Sequence, residues 1–305
     1  ATHLRNTRGW ELGPEHIAIA NGSQSAFFLL YNLFAGTMGD GSQRRIHLPL
    51  SPEYVGYRDI GLGEEFFSAT PPRIERLDDG QFKYHLQLGA QELGDDVAAL
   101  CVSRPSNPTG NVITDDEVAA LDELARKRDV PLIIDGAYGL PFPGLIYTDV
   151  IARPDIAQAF SRANTVVSLA CGTLGPRLVS GMLEDGSLAD LCRALIQPYY
   201  RERRDLAMEV IRSTRGDLPV YLHRPEGAFF LWLWCEGLPM DSRELYRRLK
   251  ERGVIVLPGN DFFIGTDPDW SHRHECLRIS YAGDRRTIED GLKITMDELH
   301  RVYGV

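Results

Sequence analysis

Apolar positions along this chain switch repeatedly between strand and helix spacing, and the switches predict alternating elements. Glu15–Ala20 reads as a short strand, and the helix opened by Asn21-Gly-Ser-Gln-Ser25 sets Phe27, Leu30, Tyr31 and Phe34 on one face. Arg45–Leu50 and Val97–Val102 read as further strands. From Thr114 to about Arg128 the spacing predicts a helix, with Thr114-x-x-Glu117 as a capping box and Val118, Leu121 and Leu124 as its stripe. Val130–Asp135 is almost wholly apolar, as expected of a strand covered on both faces. This order predicts an α/β fold built on a doubly wound, mostly parallel sheet. Gly22, Asn107 and Asp135 then fall at carboxyl ends of strands, where such sheets bind ligands.

The texture changes in the last third. A long helical stretch from Ser187 to about Thr214 is expected to bend or break near Pro198. Gly227–Cys235, Val254–Leu257 and Cys276–Tyr281 read as strands, and Asp241–Arg252 as a helix with the box Asp241-x-x-Glu244 and Gly253 as its stop. The final helix puts Ile288, Leu292, Thr295, Leu299 and Val302 on one face. Two domains are expected, a large one over residues 1–205 and a smaller C-terminal α/β one over 206–305.

A formal charge of -10 argues against nucleic acid as a partner, because phosphate neutralisation needs a basic face. No apolar run approaches the ~20 residues of a membrane span. Residues 1–8 lack the apolar core of a signal peptide, and five scattered cysteines suit reduced thiols in a cytoplasmic protein. The chain opens on Ala1, so a preceding segment is expected.

The candidate chemistry gathers at strand ends. Gly22-Ser23-Gln24 stands between a strand and a helix, where backbone N–H groups and the dipole favour an anion; the bland alternative is an N-cap from Asn21 or Ser23. Asn107-Pro-Thr-Gly110 is a turn that fixes an amide just past a strand. Asp135 ends its own apolar strand, and a carboxylate there needs a cationic or hydrogen-bonding partner unless it only caps the next loop. Tyr138 could donate beside Asn107 or simply pack, and Tyr54 could stack on a ring, with Tyr57 as its rival. Arg278 lies inside an apolar strand, suited to a substrate carboxylate or to a structural ion pair. His272-Arg-His274-Glu-Cys276 fits no common zinc spacing and reads as a polar loop, so no metal is expected, and Arg201-Glu-Arg-Arg204 reads as a solvated face.

These pieces resemble the site of the pyridoxal-phosphate-dependent aminotransferases of fold type I. The resemblance spans nearly the whole chain and is strongest to the valine–pyruvate branch, in Cys101-Val-Ser-Arg-Pro-Ser-Asn-Pro-Thr-Gly-Asn-Val-Ile-Thr114, Ala137-Tyr-Gly-Leu-Pro-Phe-Pro-Gly144 and Pro225-Glu-Gly-Ala-Phe-Phe-Leu-Trp-Leu-Trp234. It implies a homodimer of amino-acid metabolism, acting on small amino acids and 2-oxo acids such as valine, alanine, pyruvate and 3-methyl-2-oxobutanoate. It implies that Gly22, Ser23 and Gln24 hold the cofactor phosphate and that Tyr54 stacks on the ring. Asn107 and Tyr138 would bond the ring oxygen, Asp135 the ring nitrogen, and Arg278, with Asn107, the substrate carboxylate.

The family also expects a Ser-x-Ser-Lys motif after a further strand, with an arginine nearby. The chain holds four lysines, Lys83, Lys127, Lys250 and Lys293, and none is placed for that role. Gly144-Leu-Ile-Tyr-Thr-Asp runs directly into Val-Ile-Ala-Arg-Pro-Asp155, which predicts passage into a helix with no strand between and a break close to Asp149-Val150. The lysine is therefore expected outside the 305 residues, in an internal stretch between about Tyr147 and Ile151. Two other readings stand beside this one: a lysine-free relative acting as a binding or regulatory protein, and a lyase or decarboxylase on the same fold.

Overall fold

The computed structural model describes residues 1–87, 93–138 and 148–305, which form three sheets. In the first, Val97–Ser103 runs parallel to Gln43–Leu48 on one side and to Leu132–Asp135 on the other. Phe67–Ala69 extends it in parallel, and the short Gly36–Thr37 pairs antiparallel. In the second, Ile17–Ala20 pairs antiparallel with Thr148–Ile151. One helix, Ser23–Phe34, serves both sheets. Its Leu29 and Leu30 pack with Ala18, Ala20, Val150 and Phe160, while its Tyr31 joins Ile46, Leu48 and Cys101 under the first sheet.

The third sheet runs Leu257–Pro258, Cys276–Ser280, Phe230–Cys235, Val220–His223, Gln81–His85, Arg73–Arg76. The helices Gln197–Arg215, Ser242–Glu251 and Arg285–Tyr303 bury Ile211, Leu245, Leu249, Leu292 and Leu299 against Leu231, Leu233 and Leu277. Burial of such side chains is the main stabilising term, ~1.5–3 kcal/mol for each fully buried one. Sheet pairing cuts across the sequence division, since Arg73–Arg76 and Gln81–His85 complete the C-terminal sheet and Gln197–Arg215 passes through residue 205.

Several local expectations are corrected. The strand Leu132–Asp135 is not covered on both faces: Ile134 is 46% exposed, and among the described residues the strand pairs only with Val97–Ser103. Where direct passage into a helix was expected, Thr148–Ile151 is a strand, and the backbone runs unbroken through Asp149-Val150. The physical reason is the apolar seat that Ala18, Ala20 and Leu29 offer to Val150. Near Pro198 the long helical stretch does change, from Ser187–Leu191 through a π turn at Cys192–Ile196 into Gln197–Arg215. Proline donates no N–H and crowds the preceding carbonyl, so the ladder widens ahead of it. Asp241 caps its helix by accepting from the Arg243 N–H, but Glu244 pairs with Arg247 instead of closing the box.

Candidate active site

The first helix past Ile17–Ala20 begins with an open N-terminus. Gly22 is its N-cap, with φ 94°, and no side chain caps the first turn. Both bland readings fail: Asn21 turns away to accept from the Gly172 N–H at 2.8 Å, and Ser23 is exposed. Gln24 reaches across to donate to the Gly56 carbonyl at 2.7 Å, which ties this turn to the segment carrying Tyr54. Free N–H groups and the positive helix end leave a seat for a phosphate.

Asp135 occupies the end of its strand with both oxygens engaged. Oδ1 accepts from the Ala137 N–H at 3.0 Å and Oδ2 from the Tyr57 hydroxyl at 2.5 Å. The loop-cap reading is thus true of one oxygen only. Burial raises its pKa, while the bonds from Tyr57 and Ala137 oppose that rise. A protonated heterocyclic nitrogen is the partner that would offset the buried charge.

Arg278 donates from Nη1 to Asn107 Oδ1 at 2.8 Å. Its guanidinium lies 4.3 Å from the Phe230 ring centre and 5.2 Å from that of Phe262. The ion-pair alternative is not realised: among the described residues Arg278 has no carboxylate partner, and its buried Nε has no hydrogen-bond partner. An unpaired, half-buried guanidinium suits an incoming carboxylate. Tyr138 stands beside it, edge-on to Phe229 and Phe230. Burial raises the Tyr138 hydroxyl, opposed by hydrogen bonding to Asn107 and by the Arg278 charge.

The turn that carries Asn107 is built by Gly110. Its φ of 68° is left-handed, and a Cβ there would sit 2.7 Å from the Gly227 carbonyl oxygen. The Gly227 N–H donates to the Gly110 carbonyl at 2.9 Å, which docks the turn against the segment leading into the strand Phe230–Cys235. Only glycine permits that approach.

Tyr54 is half-buried and meets Tyr57 edge-on, with ring centres 5.5 Å apart. The rivalry between the two resolves by burial: Tyr57 is sealed behind Asp135, and Tyr54 keeps an accessible ring. Sequence reasoning missed two members of this layer. Tyr57 is the partner of Asp135, and Glu53 is buried with its carboxylate on the Ser103 N–H at 2.8 Å and hydroxyl at 2.5 Å. Burial pushes Glu53 up to about 8, against lowering bonds from Ser103. The available signal was an acid placed among apolar neighbours one residue before Tyr54.

His272 is no part of a polar loop. It is buried, paired through Nε2 with the Tyr84 hydroxyl at 2.5 Å, and burial lowers its pKa to about 3. No metal-binding cluster occurs among the described residues. Of the expected solvated face, Arg203 instead packs over the Tyr199 ring and bonds the Gly283 carbonyl.

No lysine joins the site. Lys83 is buried in the third sheet against Glu226 and the Val112 carbonyl, Lys127 pairs with Glu123, and Lys250 and Lys293 are exposed on helices. The grips for ring nitrogen, ring oxygen, ring face, phosphate and a carboxylate fit a pyridine cofactor with its substrate; the covalent anchor is not supplied by these four residues.

The chain is similar over nearly its whole length to known aminotransferases. The model of the aminotransferase class I and II family matches residues 81–175 and 144–294. Valine–pyruvate aminotransferase of Escherichia coli (strain K12) is 42% identical over 328 aligned positions, covering 99% of this chain and 79% of that one. The solved valine–pyruvate aminotransferase of Salmonella typhimurium LT2 superposes with TM-score 0.91 at 40% identity, covering 100% of this chain and 83% of that one. A putative amino-acid aminotransferase from Psychrobacter arcticum 273-4 gives TM-score 0.94 at 37% identity, covering 99% and 78%. The chain belongs to the class I and II aminotransferases, pyridoxal-phosphate enzymes of fold type I.

Proposed function

We propose that the protein exchanges an amino group between a small aliphatic amino acid, valine or alanine, and a 2-oxo acid, pyruvate or 3-methyl-2-oxobutanoate. The observation that carries this reading is Arg278, an arginine with no acid partner among the described residues, held by Asn107 beside Tyr138. Its planar fork takes the carboxylate shared by amino and oxo acids. The names of the Escherichia coli and Salmonella relatives support the valine–pyruvate pair. One methylene changes discrimination by only ~1–3 kcal/mol, so the preferred side chain within this class is set by assay.

When bound, pyridoxal phosphate supplies the electron sink that allows a Cα proton to leave. Asp135 would hold the ring nitrogen protonated, Asn107 and Tyr138 would donate to the ring oxygen, Tyr54 would cover one face, and Gly22, Ser23 and Gln24 would take the phosphate. The covalent anchor and proton carrier is a lysine outside these 305 residues, in a segment that precedes Ile151. One finding supports that placement: the outer edge of Leu132–Asp135 has no strand partner among the described residues. The 328 aligned positions, more than the 305 residues of the chain, support extra residues in the relative.

The protein acts as a cytoplasmic homodimer in amino-acid biosynthesis, with a large domain over 1–205, apart from the strands Arg73–Arg76 and Gln81–His85 that join the C-terminal sheet, and a small one over 206–305. Exposed Val166, Val167, Leu169, Leu174 and Leu178 support a subunit contact, and five free cysteines support a reducing compartment. Coupled assays of the full natural polypeptide with pyridoxal phosphate test the reaction. New alanine or valine is the expected product. Ammonia or carbon dioxide in its place would mark a lyase or decarboxylase, and cofactor binding without turnover a binding protein.

A further inference from the structure

Behind Asp135 lies a second layer of buried polar groups that the reaction, as described so far, does not use. Tyr57 is fully buried, its ring wedged by Phe27, Tyr31 and Tyr54 at centre distances of 5.0, 5.3 and 5.5 Å. Its hydroxyl bonds Asp135 Oδ2 at 2.5 Å and lies 3.5 Å from Ser103 Oγ, with the Cys101 thiol also within hydrogen-bond reach. Ser103 Oγ is itself 2.5 Å from Glu53 Oε2, and the Ser103 N–H fixes the other oxygen of that acid.

We propose that Tyr57 is a positioning residue that orients Asp135 and keeps it ionised, backed by the Ser103–Glu53 pair. The hydrogen-bond directions allow this. Tyr57 donates its one proton to Asp135 Oδ2, and Ser103, which donates to Glu53 through both its N–H and its Oγ, stands 3.5 Å behind the Tyr57 hydroxyl. With Ala137 on Oδ1 and Tyr57 on Oδ2, neither oxygen of Asp135 is free to swing. The bland alternative is a packed tyrosine that merely satisfies its hydroxyl on the nearest acceptor.

The inference rests on the proposed cofactor site, and its test uses pyridoxamine 5'-phosphate, which needs no covalent lysine to bind. The purified protein and its Tyr57→Phe variant are titrated with this probe, and the ultraviolet bands of the bound ring are followed from pH 5 to 9. Loss of one hydrogen bond to a charged group should weaken binding about tenfold. The variant should also hold a larger share of unprotonated ring at each pH, a change that packing alone would not cause. Tyr31→Phe is the structural control: it removes the bond to Cys101 at 2.9 Å without touching Asp135 and should change neither readout. Should Tyr57→Phe fail to fold, Ser103→Ala is expected to move both readouts the same way by less. Parental affinity and parental bands in a folded Tyr57→Phe protein, or in a folded Ser103→Ala one if Tyr57→Phe does not fold, overturn the inference alone. A parent that does not bind the probe overturns the cofactor site itself.

Discussion

Arg278 and Asn107, 171 residues apart in sequence, meet at 2.8 Å and join the C-terminal sheet to the turn that follows Val97–Ser103. The contact places a fixed positive charge beside the ring-oxygen grip. Replacing Arg278 by lysine keeps the charge but loses the planar fork. We expect kcat/KM of the full natural enzyme for alanine and for its oxo-acid partner to fall about a hundredfold, equivalent to ~2.7 kcal/mol. Steady-state kinetics on both substrates check this, and unchanged values would remove Arg278 from the site.

Asp135→Asn keeps the size of the side chain while removing a charge that burial disfavours. The fold should therefore hold, with a melting temperature close to the parent's. Cofactor affinity and turnover should drop together, the latter about a hundredfold or more, because the ring nitrogen loses its counter-charge. A variant with parental turnover would make Asp135 only the cap that its bond to Ala137 already makes it in part.

At Gly110 a side chain meets two obstacles at once, a φ of 68° and the Gly227 carbonyl oxygen at 2.7 Å. Gly110→Ala should cost at least about 1–2 kcal/mol of stability from backbone conformation alone. Because the same turn carries Asn107, the variant should also bind cofactor less well. Urea unfolding and cofactor titration read the two effects, and parental stability would contradict the close approach.

Glu53 makes stability depend on pH. Its folded pKa of about 8 lies above the ordinary value of 4.5. The folded chain therefore holds a proton that the unfolded chain has lost. That stabilising contribution is complete below about pH 4.5 and is lost as pH rises through 8, at up to ~1.4 kcal/mol per pH unit. Glu53→Gln cannot ionise, so its stability relative to the parent should grow from pH 6 to pH 8 by about 1–3 kcal/mol. Denaturant melts at the two pH values decide it. A constant difference would show that Glu53 does not titrate in this range.

The individual grips were legible because each is a residue type out of place in its segment: an acid closing an apolar run at Asp135, an arginine within Cys276–Ser280, a glycine where helix Ser23–Phe34 begins. Elements with strong local signals were legible too, including the capping box of Thr114 and Glu117. What local pattern could not reveal is set by tertiary pairing. The sharing of Gln81–His85 with the C-terminal sheet, the seat of Val150 against Ala18 and the burial of His272 against Tyr84 all depend on contacts far apart in sequence. Tyr57 was read only as a rival to Tyr54, because its partner Asp135 lies 78 residues on.

The covalent anchor of the cofactor is the most direct test. The full natural polypeptide, loaded with pyridoxal phosphate, is reduced with borohydride, digested and mapped by mass spectrometry. The account predicts one labelled lysine, in a Ser-x-Ser-Lys peptide absent from these 305 residues. A label on Lys83, Lys127, Lys250 or Lys293, or no labelled lysine at all, would contradict it.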